Sequence, residues 1–434
     1  MEIKLEDIKQ FSKEYNSNPI NKIIENSIIE NGIENTCINR KIIIENQPVF
    51  NIELPESSRY DQKNSYKCWI YAGFNMIKYN IAKNLNIDVK DLKLSTNYIS
   101  FFDRLEKSNY TYDNIINLKE PTISYMIKDE VLEECVCEGG YWDWFVGLVN
   151  KYGIIPYTYM PDGKEATRAA KITGIYYRKV KKDVLELLEM RNSNASLEEL
   201  EDKKKIYLQE NYNILSKILG EPITKFTYEY KDKDNKIHMY KDMTTLEFKN
   251  KFLTINLEDF VSIANIPMYN KEYYKKYKKK YSKIIKDVEF LNLPIEELKK
   301  FAIEQLKDNL PVWFSMNMDK DRDVVSGILD ERIFNLNNVF NLKNMTKEEL
   351  ANVGEISAEH AMVFSGVHLI DDKPIRWKVE DSYGDKSKIN GYYVMNNNFF
   401  EKYVLQIIVD KKYLSDEQKR LLEQEAIEYD EEIY

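Results

Sequence analysis

A cysteine attacks a carbonyl only as its thiolate, and two things favour that anion at neutral pH: the positive end of a helix and a nearby imidazolium. Cys68 meets the first condition. It opens the segment CWIYAGFNMIKYNIAKNLN, where Ile70, Phe74, Ile77 and Ile81 recur at helical spacing and form one apolar face. An unperturbed thiol titrates near about 8.5, so such activation matters. A lone cysteine opening a helix is as readily a small buried hydrophobe, and its context has to decide. That context begins with Gln62, six residues upstream. A side-chain amide there can donate to a developing oxyanion beside the Cys68 N–H, a contribution of about 100- to 1000-fold in rate. The chain has three histidines, His238, His360 and His368, so candidates for the general base are few. His238 lies in the polar stretch DKDNKIHMYKD and reads as a surface loop or edge strand. His368 sits at the far end of its strand from His360. His360 opens the strand HAMVFSGV, and Asp381 ends the next strand of the same hairpin, in WKVEDSYGD. A carboxylate there can fix the imidazole's tautomer, although a strand-end aspartate also serves simply to turn the chain.

The elements that must carry these residues read as α+β. Residues 1–44 form an N-terminal extension, helical and then extended. Residues 45–161 hold the Cys68 helix, preceded by a strand-like Ile42 to Leu54, and further helices over Asn97 to Lys107 and Tyr141 to Tyr152, the last after the pair Gly139-Gly140. Residues 162–299 are more charged and read as a mainly helical insertion, with a helical stretch from Lys181 to Leu219. Residues 300–412 return to strands: Pro311 to Met316, His360 to Ile370, a turn at Asp371-Asp372-Lys373-Pro374, and Ile375 to Asp381. In 413–434, Ser415 followed by Gln418 is a capping-box helix start, and AIEYDEEIY has no periodicity.

Bulk properties exclude several roles. The 434 residues, 43% hydrophobic and 31% charged, are those of a globular protein with a large core. A net charge of -9 argues against duplex binding by bulk electrostatics. The run YNKEYYKKYKKKYSK at 269–283 interleaves tyrosine with lysine as a single-strand binder would, but reads as a solvated surface element. Four cysteines, Cys37, Cys68, Cys135 and Cys137, are too sparse for a disulfide framework and fit a reducing cytoplasm. Cys135-x-Cys137 has no second pair at zinc spacing, so no metal is expected. The N-terminus lacks the apolar stretch of a signal peptide, and no apolar run reaches the roughly 18 to 20 residues of a membrane span.

Taken together, these segments resemble a known family. QKNSYKCW is similar to the Q-x5-C-W segment of papain-like cysteine peptidases, EHAMVFSGV to their histidine strand, and WKVEDSYGD to their asparagine segment. CEGGYWDWFVGLVNKYGIIPYTYMPD, FFDRLEKSNY, ILGEPITKFTYEYKDKDNK, VWFSMNMDKD and FFEKYVLQIIVDKKYL resemble the bleomycin hydrolase and aminopeptidase C family within that class. The likeness covers about residues 45 to 425. It implies a papain-like fold with a helical insertion and a C-terminal arm, and a cytoplasmic cysteine aminopeptidase that acts on peptides, uses no cofactor and assembles as a homohexamer. It further implies Cys68 as nucleophile, His360 as base and acid, Gln62 as oxyanion donor, and Asp381 where the family usually has asparagine. Gly139 and Gly140 would line the cleft and pair with substrate backbone, with Tyr66, Trp69 and the terminal residue Tyr434 around it.

Three departures follow from the same comparison. Tyr66 stands where glycine is usual, Tyr383 where a tryptophan usually shields the histidine, and LLEQEAIEYDEEIY does not match the usual ending of the arm, although Asp430, Glu431 and Glu432 could hold an amine. An endopeptidase or amide hydrolase with a relaxed N-terminal requirement therefore stays open, as does a non-catalytic peptide- or nucleic-acid-binding homologue.

Overall fold

The structure is a computed structural model that describes residues 2–118, 138–279, 285–318, 320–384, 389 and 391–429. It is α+β, as expected. Its spine is a twelve-stranded sheet among these residues. In chain order the strands are β1 (Ile52–Glu53), β4 (Phe260–Ala264), β5 (Lys275–Lys279), β6 (Glu289–Asn292), β7 (Val312–Met316), β8 (Arg322–Asp323), β9 (Ile328–Leu329), β10 (His360–Ile370), β11 (Lys373–Glu380), β12 (Tyr392–Asn396), β13 (Val404–Asp410) and β14 (Ile427–Tyr429), while β2 (Lys225–Lys231) and β3 (Ile237–Thr244) form a separate hairpin. The order across the large sheet is β14-β5-β6-β4-β13-β7-β10-β11-β12-β9-β8, with β1 beside β10.

The centre of this sheet is its most apolar part. Every residue of β7 is buried, as are the first eight of β10, and residues of this kind on both faces make a strand that is covered twice. One face is covered by the Ile295–Lys307 helix through Leu298, Phe301, Ala302 and Leu306. The other receives the Cys68–Leu85 helix, 13 of whose 18 residues are buried, between the sheet and the helices Thr96–Asn117 and Trp142–Tyr152. β10 and β11 are joined by a tight turn with Asp371 and Asp372 at φ +49° and +59°, the left-handed pair that matches the natural twist of a hairpin. Because Glu380 pairs with Val363, Asp381 emerges at the same end of the hairpin as His360.

A buried ion pair ties the two halves at that end. Lys78, fully buried on the Cys68 helix, places Nζ 2.8 Å from Glu380 at the end of β11, and also donates to Asn75 Oδ1 at 2.6 Å and Ser58 O at 2.8 Å. Breaking such a pair leaves an unpaired buried charge, which typically costs about 3 to 5 kcal/mol, so the helix and the strand are held in one register.

Several boundaries differ from the sequence reading. Residues 42–54 hold a short helix, Arg40–Glu45, and only the two-residue β1. The stretch 162–299, read as a mainly helical insertion, carries strands as well as helices. Its helices Ala169–Asn192 and Leu197–Leu219 pack on Thr96–Asn117, while β4, β5 and β6 belong to the main sheet. The tyrosine- and lysine-rich run is likewise not simply solvated: its residues 275–279 are β5, whose alternating side chains bury Tyr277 and Lys279. A period of two, hidden by the abundance of lysine, was the missed signal. The aperiodic tail also supplies β14, which runs parallel to β5. The capping box at Ser415 and Gln418 is present.

Candidate active site

Cys68 is the first residue of its helix, and no side chain caps that terminus. No acidic residue lies in the first turn either, so the unsatisfied N–H groups and the dipole remain free to act on sulfur. Burial pushes the Cys68 thiol up, but the His360 imidazolium, its hydrogen bond, and the backbone N–H groups of Ala361 and Trp69 together leave it below its ordinary value. For His360 burial acts downward, and the Cys68 thiolate with the hydrogen bond to Asp381 outweighs it, raising the imidazole to about 9. His360 Nε2 lies 3.1 Å from Asp381 Oδ1, which leaves Nδ1 to face the sulfur. The structure thus brings Cys68, His360 and Asp381 into one line, with His360 and Asp381 both buried.

The loop carrying Gln62 is laced to the segment after β11. Gln62 N donates to Ser382 O at 2.6 Å, Asp61 pairs with Tyr383 in an antiparallel bridge, and Gly384 N donates to Tyr60 O at 2.9 Å. Asp381 Oδ1 also accepts from Ser382 N at 2.7 Å, which fixes the carboxylate's orientation. Gly391 closes this corner: at φ +79°, a Cβ there would lie 2.3 Å from Gly384 O. The Gln62 side chain is buried and reaches the Tyr383 hydroxyl. Tyr383 in turn stacks on His360, with ring centroids 5.4 Å apart and planes 20° from parallel. The tyrosine that stands in place of tryptophan therefore still covers the imidazole, and it adds a hydroxyl beside the oxyanion-donor candidate.

The expected cleft residues divide. Trp69 is 1% exposed, donates Nε1–H to Glu138 O at 3.1 Å and lies directly under Gly140. A Cβ at Gly140 would fall 2.4 Å from the indole, so Trp69, rather than an approaching substrate, is what requires glycine there. Trp69 thus supports the cleft wall instead of lining the cleft. Gly139 presents its carbonyl to Lys107 Nζ at 2.7 Å, and the preceding Glu138 is ion-paired with Arg104, so the pair is anchored to the Thr96–Asn117 helix. Tyr66 is 62% exposed and holds φ +53°. A bulky residue there carries strain of about 1 to 2 kcal/mol, the constraint that glycine would relieve. Tyr434, the acidic residues Asp430 to Glu432, and Cys135 with Cys137 lie outside the described residues.

Of the other histidines, His238 is on β3 with Nε2 2.7 Å from Asp232, and stacks on Tyr230, far along the chain from the Cys68 line. His368 lies near the exposed end of β10. The sequence reading missed Lys67, which is 1% exposed and 3.8 Å from Asp162, and the Lys78–Glu380 pair. Asn75 and Lys78, three apart on a helix otherwise apolar at this face, were the available sign of a buried polar partner.

A cysteine at a helix N-terminus facing a strand-borne histidine and aspartate, across the seam of an α and a β half, is the arrangement of a papain-like cysteine peptidase. The chain belongs to the Peptidase C1-like family, whose profile matches residues 2–431. It is 33% identical to aminopeptidase E of Lactobacillus helveticus, over 97% of this chain and 96% of that protein, and 30% identical to aminopeptidase C of the same organism, over 96% and 94%. The crystal structure of PepW from Lactobacillus rhamnosis superposes with a TM-score of 0.91 at 34% identity, covering 97% of this chain and 95% of that one.

The charge on Asp381 gives a pH test. Because the Cys68 pKa is lowered and the His360 pKa raised, the thiolate–imidazolium pair exists between the two values and is lost as pH rises through about 9. Asp381→Asn keeps an acceptor but removes a charge that favours imidazolium, so the alkaline limb of the kcat/KM profile should move down by about one unit. An alkaline limb unchanged in this variant would show that Asp381 does not set the His360 charge.

Proposed function

We infer that the protein is a cysteine-type aminopeptidase, on the strength of the Cys68, His360 and Asp381 line together with relatives named as aminopeptidases over nearly their whole length. In this reading the Cys68 thiolate adds to the carbonyl of the first peptide bond. Gln62 and the Cys68 N–H hold the oxyanion. His360 then gives its proton to the departing amine as the C–N bond breaks, leaving a thioester on Cys68. His360, now neutral, removes a proton from water, which hydrolyses the thioester and frees the first residue. Asp381 keeps the imidazole aligned through both steps. Tyr66, Gly139 and Gly140 are the residues this reading places along the substrate. The chemistry needs a reduced thiol, which suits the cytoplasm, and no helix among the described residues is long and apolar enough to cross a membrane.

The test compares free-amine with N-acetylated aminoacyl fluorogenic amides, using wild type and Cys68→Ala. Turnover of the free-amine substrates alone, abolished in the variant, is the expected result. Equal cleavage of both would make the protein an endopeptidase, and Cys68-independent turnover would overturn the mechanism.

The same reading includes self-association. The helices α1 (Leu5–Ser17) and α2 (Pro19–Asn31) bury none of their residues in a single chain, yet α1 shows Leu5, Ile8, Phe11 and Tyr15 on one face. An apolar stripe of this kind needs a covering surface, and a second copy of the chain fits the homohexamer that the family resemblance implies. Sedimentation velocity should give a multiple of the 51.6 kDa chain mass, shifting toward a single chain in Leu5→Ser/Phe11→Ser. A single-chain mass for wild type would contradict it.

A further inference from the structure

Beside the Gln62 loop lies a cavity of about 620 Å3 into which four cationic side chains converge, Lys63, Lys93, Lys164 and Arg168, against two carboxylates, Asp61 and Asp162. This excess stands out in a chain of net charge -9. The carboxylates do not cancel it. Asp162 is shared with Lys67, whose buried Nζ lies 3.8 Å away and has no hydrogen-bond partner, and Asp61 spends Oδ1 on the N–H of Lys63 at 3.1 Å. Arg168 has a loose partner in Glu165 at 3.6 Å, whereas Lys63, Lys93 and Lys164 make no ion pair with the described residues. Lys93 is instead held between aromatic faces, with Nζ 4.3 Å from the Tyr157 ring centre and 5.2 Å from that of Tyr60. Lys93 is also drawn toward Asp162 and Asp61, so the uncompensated charge rests on Lys63 and Lys164, two exposed lysines at one cavity, an arrangement that an anion relieves.

The cavity's position says which anion. Asp61, at its edge, pairs with Tyr383, and Tyr383 stacks on His360, the group that protonates the departing amine. Lys63 is the next residue after Gln62. The cavity therefore adjoins the loop that Tyr383 joins to the His360 side of the site. We propose that it is an anion subsite that takes a carboxylate from the peptide's leaving portion and so favours substrates bearing one near the scissile bond. This rests on the cysteine peptidase reading above. The carboxylate has two sources, the free C-terminus of a short peptide or an aspartate or glutamate side chain, and the same positive cavity suits both.

The experiment measures kcat/KM for free-amine tripeptides and tetrapeptides of neutral side chains, each as the C-terminal acid and as the amide, and for amidated peptides carrying one Asp or Glu after the cleaved bond. A neutral aminoacyl fluorogenic amide serves as the reference substrate. Wild type should prefer one carboxylate form by about five- to tenfold, the scale of one or two partly exposed charge contacts. The acid and Asp/Glu arms identify its source. In Lys63→Gln/Lys164→Gln the preference should fall toward one while the reference substrate is cleaved at the wild-type rate. Both lysines are exposed, and the single Lys164→Gln gives the same reading if the double variant folds poorly. Equal rates for every charged and neutral pair in wild type, or a preference that survives in both variants, would overturn the subsite. Failure of wild type to cleave the reference substrate would instead overturn the peptidase reading.

Discussion

A thiolate and an imidazolium held together in a nearly closed seam are each costly to bury, and their mutual attraction is what offsets that cost. The two groups come from opposite halves of the chain, Cys68 from a helix and His360 from the centre of a sheet nearly 300 residues away in sequence. Each shifts the other in the direction that keeps both charged. The rest of the structure can be understood as what holds that seam at hydrogen-bonding distance. The Lys78–Glu380 pair joins the helix to the end of β11, the Trp313 indole N–H of β7 reaches Trp69 O at 3.4 Å, and the loop at 60–62 runs antiparallel to 382–384.

Two substitutions relative to the usual family pattern change the electrostatics of this seam without removing a part. With aspartate at 381 the imidazole is held by a full negative charge, so the imidazolium is favoured over a wider pH range than an amide would allow. With tyrosine at 383 the ring that covers the imidazole also carries a hydroxyl to Gln62. The base and the oxyanion donor are thereby connected through one residue. The cationic cavity next to the same loop adds further charge beside the seam.

The chemistry-bearing residues were legible because their physics is local. A cysteine opening an amphipathic helix, a histidine opening an apolar strand and an aspartate ending the partner strand each announce themselves within about ten residues, and the Asp371-Asp372 turn fixes that the last two share one end of a hairpin. The supports were not legible, because they depend on pairings far apart in sequence. Nothing near Lys78 shows that Glu380 will meet it, and nothing near Gly140 shows that the Trp69 indole will fill the place of its side chain. The extent of the sheet was missed for a related reason. β4, β5 and β6 are short, β5 and β6 carry charged residues, and the three are joined to β13 and to each other by pairing across the chain, so they read as part of an insertion. Strain is also invisible to a sequence pattern: the left-handed backbone at Tyr66 appears only in the folded chain.

The most direct test of the central pair is the pH dependence of Cys68 alkylation by iodoacetamide, followed by peptide mass mapping, with buried Cys37 in the same sample as an internal reference. Burial raises the Cys37 thiol, so it should stay unreactive across the range. Cys68 should be alkylated below the ordinary thiol value of about 8.5, and His360→Ala, which leaves burial unopposed by the imidazolium, should move it upward to or above that value. A Cys68 that titrates near 8.5 in both proteins would contradict the ion pair on which this account of the site depends.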